Sequence, residues 1–149
     1  MVEPPLTLAM LHRQQYAPMV RLATLLLGSQ ALAEEIVQDC FVRLLPRYDA
    51  IREPVPYLRR AVVNGCRSAG RRQTRERRPA DDPGVGDLGA DEMFDALAAL
   101  PDRQRIALVL RFYEDLSGAE IADVLGCRPG TVKALVHRGL ARLREVLGE

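Results

Sequence analysis

Pro79 to Ala90 reads PADDPGVGDLGA, and this run of proline, glycine and aspartate divides the chain into halves that must each build a core. A segment of that composition neither propagates a helix nor pairs as a strand, so it reads as a linker. On both sides of it the apolar residues recur at helical spacing, and no period-two alternation is present. The expected fold class is all-α: two small helical domains, residues 1–78 and 91–149, joined by a flexible linker at 79–90.

Three helical segments are expected before the linker. The first carries Leu11, Met19, Leu22 and Leu26, and Pro18 inside it predicts a kink or a restart. Gly28-Ser29 separates it from a second, Ala31 to Leu45, whose stripe is Ile36, Val37, Cys40, Phe41, Leu44 and Leu45. Pro46 ends that helix, and Arg47 to Pro54 reads as a loop. The third, Pro54 to Arg72, turns Val55, Leu58, Val62 and Cys66 inward and leaves arginine on its other faces. After the linker, Met93, Phe94, Leu97 and Leu100 open a second helical unit that continues to the last residue.

Charge is distributed more informatively than the net value of +1 suggests. Arg52 to Arg78 holds nine arginines against Glu53 and Glu76, whereas Ala80 to Leu100 holds only acids: Asp81, Asp82, Asp87, Asp91, Glu92 and Asp95. Such segregation offers one surface to a polyanion and keeps another segment off it. Lys133 is the only lysine, so the basic surface is nearly all guanidinium, which suits phosphate forks and base stacking.

Other function classes find little support. With 48% apolar and 28% charged residues the chain is globular, and no apolar run approaches the length of a membrane span. No basic segment followed by an apolar core marks a secretory signal, so the expected compartment is the cytoplasm, without membrane insertion. Cys40, Cys66 and Cys127 are isolated and odd in number, which suits small core side chains rather than disulfides or a thiolate site. His12 and His137 lie at opposite ends of the sequence without a nucleophile or carboxylate cluster beside them, so no enzyme is expected. Neither a catalytic residue, a cofactor nor a metal is implied. Glu34, Glu35 and Asp39 are the one acidic group worth weighing as a metal site, and no histidine accompanies them.

The strongest local pattern is Ser117 to Leu143, SGAEIADVLGCRPGTVKALVHRGLARL. Ser117 and Glu120 form a capping box, Ile121, Val124 and Leu125 an apolar face, and Gly126 a tight helix-ending turn. Pro129 suits the first turn of the next helix, in which Val132, Val136, Leu140, Leu143 and Leu147 face inward. Outward at its start lie Arg128, Thr131, Lys133, Ala134, His137 and Arg138, set to meet base edges and phosphates in a major groove. Gly139 inside this helix costs about 1 kcal/mol relative to alanine, which close packing would justify.

At this point a family resemblance is visible. LPDRQRIALVLRFYEDLSGAEIADVLGCRPGTVKALVHRGLARLRE resembles region 4 of the sigma-70 family, which reads the −35 promoter element. AEEIVQDCFVRLLPRYDAIREPVPYLRRAVVNGCRSAGRR resembles region 2 of its extracytoplasmic-function group. Response-regulator output domains share the EIA…L…TVK pattern, and the region 2 stretch is what sets this chain apart from them.

The resemblance implies a factor that binds core RNA polymerase, at the β′ clamp helices and the β flap, and directs promoter-specific initiation. It implies that Glu34, Glu35, Gln38, Asp39 and Phe41 face the clamp helices. Around the −10 element it implies Tyr48 and Arg52 in the base-capturing loop, followed by Tyr57, Arg59, Arg60, Asn64, Arg67, Arg71 and Arg72. Arg128, Thr131, Lys133, Ala134, His137 and Arg138 would read the −35 element. An anti-sigma factor is the implied regulator. The sequence departs from the family pattern at Ser68, where an acid is often found, at Ala134, where serine is common, and in having no tryptophan. The competing reading is a stand-alone helix-turn-helix regulator that binds an operator as a dimer, although the N-terminal half offers no heptad seam.

Overall fold

In a computed structural model that describes residues 5–75 and 88–148, with the side chains of 71–75 and 88–91 left aside, regular structure is entirely helical. The elements are α1 (Leu8–Leu27), α2 (Gln30–Leu44), α3 (Pro54–Arg75), α4 (Leu88–Ala98), α5 (Asp102–Phe112), α6 (Gly118–Leu125) and α7 (Pro129–Leu147). Most of the expected linker lies outside the described residues, and Leu88 to Ala90 form the first turn of α4.

Local chemistry explains where the helices start. The Thr7 hydroxyl accepts from the Met10 amide and the Ser29 hydroxyl from the Leu32 amide, each satisfying a donor that the first turn leaves free. Pro18 does not interrupt α1, so the helix does not restart there. Met19, Val20, Leu22 and Ala23 directly after it are buried, and that packing holds the helix through one missing backbone hydrogen bond. Leu45 to Ala50 also differs from expectation, forming a 3-10 helix where the sequence suggested the helix end and a loop. Pro46 sits in its first turn, where the absent N–H costs nothing.

The N-terminal lobe packs α1, α2 and α3 around Leu11, Leu22, Val37, Leu44, Leu58 and Val62, all essentially solvent-free. Cys40 and Cys66 belong to this core. Leu45, placed in the inward stripe by periodicity, is instead exposed, because the chain leaves α-geometry at that residue. The C-terminal lobe packs α4 to α7 around Leu97, Leu100, Ile106, Leu110, Ile121 and Val132. Val136, Leu140 and Leu143 line the inner face of α7 half-buried, whereas Leu147 is exposed beyond the last packed turn.

Gly139 is buried against α5, and a β-carbon there would come within 3.0 Å of Leu108 Cδ1. The low helix propensity of this position is thus exchanged for a close approach of α7 to α5. The two lobes also touch: α1 packs on α4 and α5, and α3 on α6, so that the buried residues form one continuous cluster.

Candidate nucleic-acid interface

The helix-turn-helix has the local chemistry its sequence calls for. The Glu120 amide donates to the Ser117 hydroxyl at 3.1 Å, and the Ser117 amide donates to Glu120 Oε1 at 2.9 Å. The Ser117 amide, and after it the Ser117 side chain, hold the Glu120 carboxyl below the ordinary carboxylate range. Gly126 ends α6 with φ of +69°, a left-handed conformation in which any side chain would be strained. Pro129 opens α7. The first turns of α7 therefore stand at a fixed angle to α6, with Arg128, Lys133, His137 and Arg138 exposed and Thr131 and Ala134 half-buried beside them. None of these basic residues makes an ion pair among the described residues.

The second basic surface is α3. Arg60 and Asn64 are exposed, while Arg59 and Arg67 are half-buried; Arg71 and Arg72 extend the same helix, with side chains outside the described residues. Tyr57 is 39% exposed and accepts at its hydroxyl from Arg47 Nη1 at 3.3 Å, which holds the ring at the surface rather than in the core. Arg52 is exposed in the segment leading into α3. Tyr48 behaves differently. Its hydroxyl donates to the Leu6 carbonyl, and burial, with Asp49 nearby, pushes the phenol up so that it keeps that proton. It anchors the turn, and its ring packs on the core rather than standing free.

On α2, Glu35, Gln38 and Asp39 are exposed and Glu34 is half-buried. Gln38 Nε2 donates to the Tyr16 hydroxyl at 3.1 Å, and Arg43 pairs with Asp39 at 3.0 Å. Phe41 is only 7% exposed and lies edge-on beneath His12, with ring centroids 4.8 Å apart. Its contribution is to support the surface formed by His12, Tyr16 and Gln38. A groove of about 850 Å³ runs between α2 and α3, lined by Glu35, Asp39, Arg43, Arg47, Tyr57 and Asn64 among others. Its α2 side carries Glu35, Asp39 and Arg43, and its α3 side carries Tyr57, Asn64, Ser68 and small residues rather than the arginines.

Sequence reasoning missed what faces α3 from the other lobe. Arg67 Nε donates to Asp102 Oδ2 at 3.1 Å, and Arg60 Nη2 lies 3.5 Å from Asp123 Oδ2. Arg59 and Glu114 act on one another electrostatically, yet Arg59 Nε and Glu114 Oε1 are buried without hydrogen-bond partners. Burial pushes the Glu114 carboxyl above its ordinary value, and the Arg59 charge offsets only part of that. Arg21 Nε donates to the Tyr113 hydroxyl at 3.0 Å. Arg105 was missed as well. It donates to the carbonyls of Leu97 and Leu100 at 2.7 Å each and reaches the Leu26 carbonyl at 3.4 Å, tying α4, α5 and the end of α1 together. Its spacing of three from Asp102 was the one local hint, whereas the pairs between lobes join residues far apart in sequence.

Burial raises the thiols of Cys40 and Cys66 to about 11 and about 12, which keeps them protonated and poor as nucleophiles. Among the described residues no cluster of histidine, cysteine or carboxylate is placed to hold a metal, and no helix is long and apolar enough to cross a membrane.

Comparison with known proteins agrees with this geometry. Residues 11–76 match the model of sigma-70 region 2, and residues 90–143 that of sigma-70 region 4. The chain is 36% identical over 146 residues to the RNA polymerase sigma-E factor of Streptomyces avermitilis, covering 91% of this chain and 82% of that protein. It is 34% identical over 160 residues to the ECF RNA polymerase sigma factor SigE of Mycolicibacterium smegmatis, covering 93% and 61%. Among solved structures, the sigma factor RpoE of Bartonella quintana, crystallised with the anti-sigma factor NepR, superposes with a TM-score of 0.77. Identity there is 25%, over 92% of this chain and 94% of that one.

Proposed function

The chain belongs to the sigma-70 family as an extracytoplasmic-function sigma factor that binds core RNA polymerase and directs promoter-specific initiation, and from that premise we propose how its residues divide the work. Residues 1–78 act as region 2, 91–149 as region 4, and 79–90 as the linker between them. In region 4 the start of α7 enters the major groove of the −35 duplex. Lys133, His137 and Arg138 contact base edges or phosphates, while Arg128 and Thr131 contact backbone at the helix N-terminus. Ala134 leaves room for close approach.

In region 2, Glu34, Glu35, Gln38 and Asp39 face the β′ clamp helices, and Phe41 supports that surface from beneath. Tyr48 anchors the base-capturing turn and Arg52 flanks it. Tyr57 offers a stacking face, Asn64 a reading group, and Arg59, Arg60, Arg67, Arg71 and Arg72 a track for the melted −10 strand. Melting then follows from binding separated strands better than duplex, so no catalytic residue is required. The factor works in the cytoplasm, where polymerase is, and an anti-sigma factor controls it, as the complex of the Bartonella protein with NepR suggests.

The observation that carries this reading is the exposed, unpaired basic start of α7 held by a complete capping box and a left-handed Gly126. A stand-alone operator-binding regulator would share that feature, but the second basic helix, α3, gives a further nucleic-acid surface which such a regulator does not need. The test is transcription in vitro with core RNA polymerase on fragmented genomic DNA from the source of the chain. Discrete transcripts sharing a −35/−10 pair upstream are expected. Tight duplex binding without polymerase and no transcripts would overturn the reading.

A further inference from the structure

We infer that the segment before α1 is a working part of the −10 surface: the Leu6 carbonyl, held by the Tyr48 hydroxyl, positions the turn Leu45–Ala50 so that the stretch after it receives an extruded base. The inference rests on the reading of this turn and Arg52 as the base-capturing loop.

The turn needs support from outside itself. A 3-10 helix has poorer hydrogen-bond geometry than an α-helix, and runs beyond three or four residues are uncommon. This one spans six residues, none of them fully buried, so its own packing holds it weakly. The hydrogen bond that closes it, from the Ile51 amide to the Tyr48 carbonyl at 3.0 Å, hands the chain directly to exposed Arg52 and Glu53. Where Tyr48 stands therefore decides where that exposed stretch begins.

Two adjacent side chains fasten the turn to two different elements. Tyr48 reaches Leu6, 42 positions earlier in the chain. Leu6 comes just before the cap Thr7, and the ladder of α1 opens with the Thr7 carbonyl accepting from the Leu11 amide. The Leu6 carbonyl thus lies outside that ladder, and the packing of Leu6 and Leu8 on the core holds it in place. Arg47 ties the same turn to Tyr57 on α3. A phenylalanine at position 48 would fill the same volume against the core, and only the hydroxyl reaches Leu6. That bond serves placement rather than burial, so Leu6 and Tyr48 are positioning residues that act through the loop and need not touch DNA.

The test uses holoenzyme formed from core polymerase and the full chain, on a promoter from which that chain initiates. Single abasic sites placed in turn along the non-template −10 strand identify the captured base, by the loss of permanganate-reactive thymines around it. Tyr48→Phe should lower the yield of open complex about fivefold on the intact template, the worth of one net hydrogen bond. On the template abasic at the captured base it should match the unmodified chain, because no base is left to place. Protection of the −35 duplex should be unchanged. Leu6→Gly, which frees the carbonyl from its packing, should give a similar loss, and the double variant should be no worse than Tyr48→Phe alone. A Tyr48→Phe yield equal to that of the unmodified chain, a loss that persists on the abasic template, or additive losses would each overturn the inference while leaving base capture standing. If no abasic site affects the unmodified chain, the base-capture reading itself fails, and the inference with it.

Discussion

Helices α3 and α7 carry two basic surfaces among the described residues, and only that of α7 is free of ion pairs. Arg128, Lys133, His137 and Arg138 at the start of α7 stand exposed and unpaired among the described residues. On α3, Arg60 and Arg67 are engaged by Asp123 and Asp102, and the Arg59 charge acts on Glu114. The difference follows from packing. The main neighbours of α7 are α4, α5 and α6 of its own lobe, whereas α3 meets α6 across the lobe boundary. A surface for duplex DNA can be displayed permanently, because weak duplex contact by one small module does little by itself.

That contrast can be broken most severely at α7. Lys133→Ala with Arg138→Ala should weaken binding of the polymerase complex to a −35 duplex by on the order of a hundredfold, at about 1–3 kcal/mol per contact. Mobility shift against a −35 fragment checks this. Melting of the −10 region on a pre-opened bubble template should be spared.

A smaller effect is expected from Ser117→Ala. Losing the capping box should lower stability by about 1 kcal/mol, read as an earlier thermal transition, with −35 binding reduced as the angle between α6 and α7 loosens. The paired surface offers a pH test in turn. Burial raises the Glu114 carboxyl, so the folded, closed form holds that proton more tightly than the unfolded chain does. Its contribution is therefore most favourable at low pH and is lost as pH rises from the ordinary value of 4.5 through the raised one. Glu114→Gln should flatten that part of the pH–stability profile. The smallest expected effect on stability is that of Asp39→Asn. Its ion pair with Arg43 is exposed and local, so the change should stay within about 0.5 kcal/mol, while affinity for core polymerase falls measurably.

What could be read from the sequence and what could not separates along the same physical line. The start and turn of the helix-turn-helix were legible, because a capping box, a turn glycine and a proline-started helix are contacts within a few residues of one another, whereas Leu147 was expected inward and is exposed. A restart at Pro18 does not occur, since burial of the following residues outweighs a local breaker. Leu45 was misplaced because periodicity continues past the point where the backbone tightens to 3-10 geometry. Phe41 was legible as part of the inward stripe, but not the His12 ring that covers it, which comes from another helix. The pairs between lobes were invisible, for Arg67 and Asp102 are brought together only by the docking of two separately patterned halves. Long-range electrostatic contacts leave no periodic trace.

The division of labour between the two helices is tested most directly by probing strand opening and −35 protection on one promoter in the same reaction. Core polymerase with the Arg60→Ala/Arg67→Ala variant should still protect the −35 duplex from nuclease while thymines around −10 lose permanganate reactivity. Undiminished reactivity around −10 would contradict the assignment of α3 to the melted strand.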